Sequence, residues 1–413
     1  MKKQNIIIIL VFCAVILSLG AAVWLTPDRE FSENENRYLQ KLPVPNADTV
    51  QSGDFGDEVE DYLSDQFWLR DRWTALRSRV KMLLGNKDIG GVYLCRDGYY
   101  IEKVTQNDVD EGRLRKNLQT VREFFDRCVE LGLEADDLTF LPVPTPGYIL
   151  KDKLPRYAVL FDEDAVFAEM SAAMDGYRLV DLREPFAAAC ADEQLYYRTD
   201  HHWTTAGALL GYQCYRAAAG LSVPAAADYT VERHEGFRGT LYSKVLDPDA
   251  AVDAVELYRW DGDTALTVTY DNADHAGCYD LQKLAQKDMY EVFFGGNWPM
   301  VRITGGAENG RRLLVLKDSY ANALLPFAAA SLSGALLNTV FFMSALLLFF
   351  GATPYLVGLR ASLGGKSILG FVAAMVGVQG VAEAVICGVL GTVIAKAVFI
   401  AVKKGGNATG EKM

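Results

Sequence analysis

Leu313-Leu-Val-Leu-Lys-Asp-Ser-Tyr-Ala-Asn322 is the stretch on which the fold turns. Four consecutive apolar residues carry the signature of a buried strand. The run stops at Asp318-Ser319, and a helix-compatible segment follows. Ser319 is therefore predicted at the carboxyl end of a strand and the amino end of a helix. There, backbone N–H groups and the helix dipole favour a developing negative charge. A serine so placed has two readings, an activated nucleophile or a helix cap shared with Asp318. This segment alone favours the cap.

A second segment shifts the balance. The chain has four histidines, and two are adjacent in Thr199-Asp200-His201-His202-Trp203-Thr204. A strand-like stretch, Leu195-Tyr-Tyr-Arg198, precedes it, and a helix is predicted from about Thr204. Such strand-to-helix loops hold reactive groups on a rigid scaffold in α/β proteins. An aspartate two residues before a histidine can orient its imidazole, leaving the other ring nitrogen as base toward a hydroxyl. Two other readings stay open here, a hydrogen-bonded capping role for His202 and a metal held by the His pair with Asp200.

Further out, the pattern is that of strands alternating with helices. Strands are expected at 91–94, 99–101, 138–143, 178–182 and 313–316, and helices at 55–84, 112–132 and 205–219. This alternation predicts an α/β sheet with helices on both faces.

The two ends differ from the middle. Lys2 and Lys3 precede an apolar stretch from Ile6 to Leu25, and roughly 20 such residues cross a bilayer as a helix. The flanking lysines place the N-terminus inside and the main domain outside. A cleaved signal peptide is the rival reading, with Ala21-Ala22 as a weak cleavage site. A second apolar run, Ala328 to Phe350, is expected to re-enter the membrane. Arg360 and Lys366 follow it, and a third run, Ile368 to Val402, carries Gln379, Glu383 and Lys396. The predicted organisation is thus an anchor at 1–27, an extracellular domain at 28–327, an all-α membrane segment at 328–404 and a polar tail at 405–413. On this division the sheet behind Ser319 would stop short at Ala328.

The formal net charge of -12 comes without a basic stripe in the middle, which argues against nucleic acid as a partner. None of the seven cysteines forms a C-x-x-C pair, so no structural zinc site is expected. They are read mostly as buried small hydrophobes.

From about Phe31 to Phe327 the chain resembles the bacterial DHHW family, whose members are similar to the SGNH-hydrolase-like domains of alginate O-acetylation proteins. The matching elements run in order. They are Phe31 to Arg37, Asp65-Gln-Phe67 with Arg70, Gly91-Val-Tyr93 with Asp97-Gly98, Pro142-Val-Pro144 and Asp152-Lys-Leu-Pro155. Then come Asp200-His-His-Trp203, Gly239-Thr-Leu-Tyr-Ser243, Phe294-Gly-Gly-Asn297 and Lys317-Asp-Ser-Tyr-Ala-Asn322. The resemblance implies a three-layer α/β/α sandwich with Ser319 as nucleophile, His202 as base and Asp200 as its orienter. It further implies Asn297 and the Ser319 N–H as oxyanion donors, with Tyr320 and Asn322 toward the substrate. Trp203 is left as a packing residue or a sugar-stacking platform, and His201 without a role. The tail from Ser331 to Lys404 is similar to the last membrane helices of substrate-binding components of energy-coupling-factor vitamin transporters.

Two functions follow. One is an acyltransferase or esterase acting on a cell-surface polysaccharide, partnered by a membrane acyltransferase that supplies the acyl group. It would need no cofactor and no metal. The other is a non-catalytic membrane protein, either a carbohydrate-binding module or part of a vitamin-uptake component.

Overall fold

The computed structural model describes residues 3–34, 37–305 and 312–331, together with the backbone of Leu336–Phe341. They fall into two units. One comprises residues up to Val109, Leu141–Val166 and Val180–Phe341, and the other centres on Asp110–Phe140 and Phe167–Leu179.

The second unit is built on a 20-residue helix, Glu111–Glu130, capped where Arg113 N–H donates to Asp110 Oδ1 at 2.9 Å. Phe125 and Cys128 on this helix pack with Leu138 and Met174. Thr139–Phe140 and Arg178–Leu179 pair in parallel. Arg122 satisfies the carbonyls of Ala173 and Asp175 at 3.1 and 2.6 Å.

The first unit begins with the apolar helix Lys3–Leu25, whose Asn5–Leu25 portion is long and apolar enough to cross a membrane. Its length and composition suit a membrane anchor or a signal sequence. The expected helix at 55–84 is two helices, Asp54–Asp65 and Arg70–Leu83. The break falls where Leu69 adopts a left-handed backbone, φ 55°, which no helix accommodates. Arg37 grips Asp65 with both guanidinium ends, at 2.8 and 2.5 Å. Gln66 bridges the Arg29 and Gln40 carbonyls at 3.0 and 3.1 Å, so the connector after the apolar helix is tied to the first helix pair.

The strands occupy several small sheets rather than one. Asp88–Ile89, Val92–Leu94 and Tyr100–Glu102 form an antiparallel meander, and Thr230–Phe237 pairs antiparallel with Asp253–Arg259. The largest sheet is mixed. Its order is Ala273–Ala276, Thr267–Tyr270, Met300–Thr304, Leu336–Phe341 and Arg312–Lys317, with only the last pair parallel. This is a mixed helix-and-sheet architecture.

Two expectations about the C-terminal half are corrected here. The strand Arg312–Lys317 is not fully buried. Leu314 and Leu316 are exposed while Leu313 and Val315 are half-buried, the alternation of an edge strand. The apolar run from Ala328 also does not start a membrane helix. Ala321–Ser331 is a helix of the domain, with Phe327, Ala328 and Ala329 in its core. Leu336–Phe341 then inserts as a strand between Met300–Thr304 and Arg312–Lys317. Apolarity over a membrane-length run does not by itself exclude a core helix followed by a buried strand, and here the pairing partners decide. The sheet beside Ser319 therefore continues past 327. The remainder of the expected membrane segment, Glu383 and Lys396 included, lies outside the described residues.

Candidate active site

The Asp200 loop is held by the two segments around it. Tyr197 N–H donates to the His202 carbonyl at 3.2 Å, and Thr204 N–H to that of Leu195 at 2.9 Å. Thr204 then caps the helix Thr205–Ala218, its Oγ1 accepting from Gly207 N–H at 3.2 Å. The helix can sit this close because it carries glycine where the loop presses. A Cβ on Gly207 would lie 2.4 Å from the Leu195 oxygen, and one on Gly211 would lie 2.9 Å from the Trp203 ring.

Asp200 is buried, and both its oxygens are used. Oδ1 accepts from His202 N–H at 2.9 Å and faces His202 Nδ1 at 2.6 Å. Oδ2 accepts from Thr240 N–H at 2.7 Å and from its hydroxyl at 3.0 Å. Burial by itself would raise the pKa of this carboxyl. The charge and hydrogen bond of His202, then His201 and the Thr240 N–H, outweigh burial and hold Asp200 well below the usual carboxylate range.

His202 completes the line. Its Nε2 lies 2.8 Å from Ser319 Oγ. Its ring is clamped between Tyr290, stacked at 4.0 Å and 10°, and His201 at 3.8 Å. The Tyr290 hydroxyl donates to the Ser319 and Tyr320 carbonyls, 3.1 and 3.2 Å away. Trp203 Nε1–H also reaches the Tyr320 carbonyl, at 2.8 Å. The Asp200 loop is thus tied to the Ser319 turn through Tyr320, by Trp203 Nε1–H to its carbonyl and by its hydroxyl to the His201 carbonyl, while Tyr290 holds the Ser319 carbonyl.

Ser319 sits where the sequence places it, between Arg312–Lys317 and Ala321–Ser331. Asp318 Oδ1 accepts from Tyr320 N–H at 3.0 Å, and Asn322 N–H donates to the Ser319 carbonyl at 3.2 Å. Asp318 therefore supports the turn while the Ser319 hydroxyl engages His202. Lys317 donates to Asn322 Oδ1, and burial lowers its pKa to about 7 against the pull of Asp318. Burial also raises Asp288 to about 6, helped by Asp200 and Glu291.

The remaining expected residues divide. Asn297 is exposed, and its Oδ1 accepts from Asn322 Nδ2 at 2.9 Å. Asn322 is itself buried between Asn297 and Lys317, so it orients other groups and cannot touch a substrate. Trp203 is 1 % exposed and stacks on Phe186. A fully buried indole cannot offer its face to a sugar, and Trp203 is a packing residue. Tyr320 is half-buried and borders a cavity, with its hydroxyl donating to the His201 carbonyl.

Thr240 and Tyr290 are site residues that the sequence alone does not mark. Thr240 lies within the Gly239-Thr-Leu-Tyr-Ser243 element, to which the sequence assigns a resemblance but no role. Gly239 is required by that contact, because a Cβ there would lie 2.1 Å from Asp200 Oδ2. Nothing in the sequence around Tyr290 marks it. Asp200, His201 and His202 offer ligand atoms within 4.8 Å of one another. The two Asp200 oxygens and His201 Nδ1, the latter 2.7 Å from Thr240 Oγ1, are already engaged by protein groups.

Comparison with known proteins bears on the same residues. Residues 96–236 match the family model of the SGNH hydrolase-like domain of acetyltransferase AlgX, and residues 181–336 match that of DHHW proteins. The chain carries an SGNH-like, DHHW-type domain. Asp200, His201, His202 and Trp203 fall where the two matches overlap, and Ser319 lies in the DHHW match. No curated protein matches the chain. Among solved structures, a DHHW family protein from Eubacterium siraeum is 24% identical over 64% of this chain and 88% of its own, with a TM-score of 0.48. Bacillus cereus PatB1 with a sulfonyl adduct is 20% identical over 63% and 91%, TM-score 0.49. The O-acetyltransferase domain of Pseudomonas putida AlgJ is 14% identical over 66% and 99%, TM-score 0.37.

Proposed function

We propose that this DHHW-type protein is a serine-dependent O-acyltransferase or esterase of the cell envelope, with Ser319 as nucleophile, His202 as general base and Asp200 as its orienter. One observation carries the reading. His202 Nε2 is 2.8 Å from Ser319 Oγ while its Nδ1 is 2.6 Å from Asp200, which is hydrogen-bond reach on both sides of the base. Ser319 Oγ attacks the acyl carbonyl carbon as its proton passes to His202 Nε2. The bond to the leaving oxygen breaks, and that oxygen takes the proton from His202. An acceptor hydroxyl, of water or of a sugar, then repeats the sequence on the acyl-serine. The buried Asp200 carboxylate steadies the imidazolium in each half.

For the oxyanion, the Ser319 N–H and Asn297 are the donors of this reading. With its Oδ1 held by Asn322, the amino end of Asn297 is the end that donates. A three-layer α/β/α arrangement belongs to the same proposal, and so does O-acetylation of a cell-surface polysaccharide. The family match to an acetyltransferase domain supports the reaction class. The chain is read as anchored through Lys3–Leu25 with its main domain outside, working with a membrane acyltransferase that delivers the acyl group.

The test is release of acetate from an activated acetyl ester by the full chain. Ser319→Ala and His202→Ala should each lower kcat/KM by about a thousandfold or more. Unchanged rates in both variants would favour a non-catalytic carbohydrate-binding or uptake role instead.

A further inference from the structure

The helix Arg70–Leu83 has two opposite faces. One packs on the domain. Ser78 is buried there, Met82 lies against the cluster of Ile89, Val92 and Leu241, and Asp71 Oδ2 accepts from Asn34 Nδ2 at 2.8 Å. The other face is turned outward, and it is apolar. Trp73, Leu76, Val80 and Leu83 recur at spacings of three and four residues, which makes one stripe along a helix. All four are exposed, Leu76 at 53% and Leu83 at 84%. By helical geometry Arg72 and Arg77 border the stripe on its two sides. Arg79 pairs with Asp249. The helix carries four arginines and a lysine against a single aspartate, in a chain of net charge -12.

A stripe of large apolar side chains left in water marks a surface that something covers. The connector indicates what. Arg29 N–H donates to Gln66 Oε1 at 2.9 Å, and Gln66 Nε2 donates to the Arg29 carbonyl at 3.0 Å. Beside them the Tyr62 hydroxyl donates to Asp28 Oδ1 at 3.0 Å. The apolar helix ends at Leu25, and an extended chain from there to Arg29 spans about 14 Å at most. When Lys3–Leu25 crosses a bilayer, the start of the helix Arg70–Leu83 is therefore brought within reach of the headgroups. An apolar stripe with an aromatic ring and flanking arginines is the composition that lies in that interface.

We propose that the helix Arg70–Leu83 lies on the outer face of the membrane, with Trp73, Leu76, Val80 and Leu83 among the upper acyl chains and Arg72 and Arg77 on lipid phosphates. The inference rests on Lys3–Leu25 being an uncleaved anchor, which is part of the function proposed above. The domain is then attached at two points, one spanning the bilayer and one lying on it. It does not swing freely about its connector.

The experiment uses the full chain in vesicles of phosphatidylcholine and phosphatidylglycerol brominated on the acyl chain near the headgroup, with tryptophan emission as the readout. Trp24→Phe and Trp68→Phe form the background, because both of those rings are also exposed. The bromolipids should quench this protein, and adding Trp73→Phe should remove most of the quenching. Leu76→Glu with Val80→Glu puts two charges into the stripe, and should lower the quenching about threefold or more at an unchanged melting point. Leu83→Glu replaces that pair if its melting point falls. Quenching that ignores Trp73, in vesicles that keep the chain through an alkaline carbonate wash, overturns the surface helix and leaves the anchor standing. A chain stripped off by that wash overturns both. A dimer in detergent that the glutamates dissociate assigns the stripe to a second copy and overturns the lipid reading.

Discussion

Asp200 is the residue on which the site depends most, because it touches three groups that have no other reason to be aligned. It holds the His202 ring, the His202 backbone and Thr240 at once. Asp200→Asn keeps the shape but offers an amide N–H₂ where His202 Nδ1–H needs an acceptor. We expect it to lower kcat by about 10³–10⁴ with KM little changed, measured by steady-state ester hydrolysis. Equal kcat in the variant would remove Asp200 from the mechanism. Gly239→Ala makes a harsher test of the same contact. A methyl group 2.1–2.5 Å from the Asp200 carboxyl must displace it or shift the backbone, since packed interiors do not absorb such overlaps. The variant should lose activity together with a melting point several degrees lower. Full activity would show that the Thr240 loop is free to move.

At the scale of elements, the decisive piece is the strand Leu336–Phe341. It pairs Thr339 with Val301 on one side and Val315 on the other, and so makes a neighbour for the strand that leads into Ser319. Proline at a central strand position removes a ladder hydrogen bond and is otherwise confined to edge strands and bulges. A membrane helix tolerates proline far better. Thr339→Pro should therefore lower the thermal midpoint and the esterase rate together. An unchanged midpoint would return residues 336–341 to the membrane reading. The helix Ala321–Ser331 gives a companion measurement. Phe327 is fully buried against Tyr212, Tyr229 and Tyr258, and Phe327→Ala should cost about 3–5 kcal/mol by denaturant unfolding. A loss under 1 kcal/mol would mean that this helix is not part of the core.

For the whole molecule, Asp200 contributes to the acid limb of stability, together with other carboxylates held low, such as Asp65 beside Arg37. The folded pKa of Asp200 lies below the unfolded value of about 3.9. Its contribution is complete above that value, and is lost as pH falls through the folded pKa. Melting temperatures measured from pH 7 down to pH 2.5 should drop less steeply at the acid end in Asp200→Asn than in the wild type. Identical slopes would place the acid sensitivity elsewhere. Orientation across the membrane is testable on the same scale. An epitope inserted in the Asp247–Asp249 turn should be digested by protease added to intact cells, and protection there would reverse the proposed topology.

Much of this was legible in the sequence, for reasons that lie in local physics. The pairing of Asp200 with His202 spans two residues, and the strand, Ser319 and helix succession spans ten. Both are fixed by backbone geometry and side-chain type within one loop. The apolar helix at the start declared itself by length alone. What the sequence could not decide was everything that depends on a partner distant in the chain. Trp203 reads equally as a sugar platform or as packing until Phe186 and the Gly211 helix close over it. Asn322 reads as a substrate contact until Lys317 and Asn297 take its amide. The apolar stretch after Ala328 reads as a bilayer helix until two strands supply the hydrogen bonds its backbone requires. Hydrophobic patterning states that a segment must leave water, and only the tertiary structure states whether protein or lipid receives it.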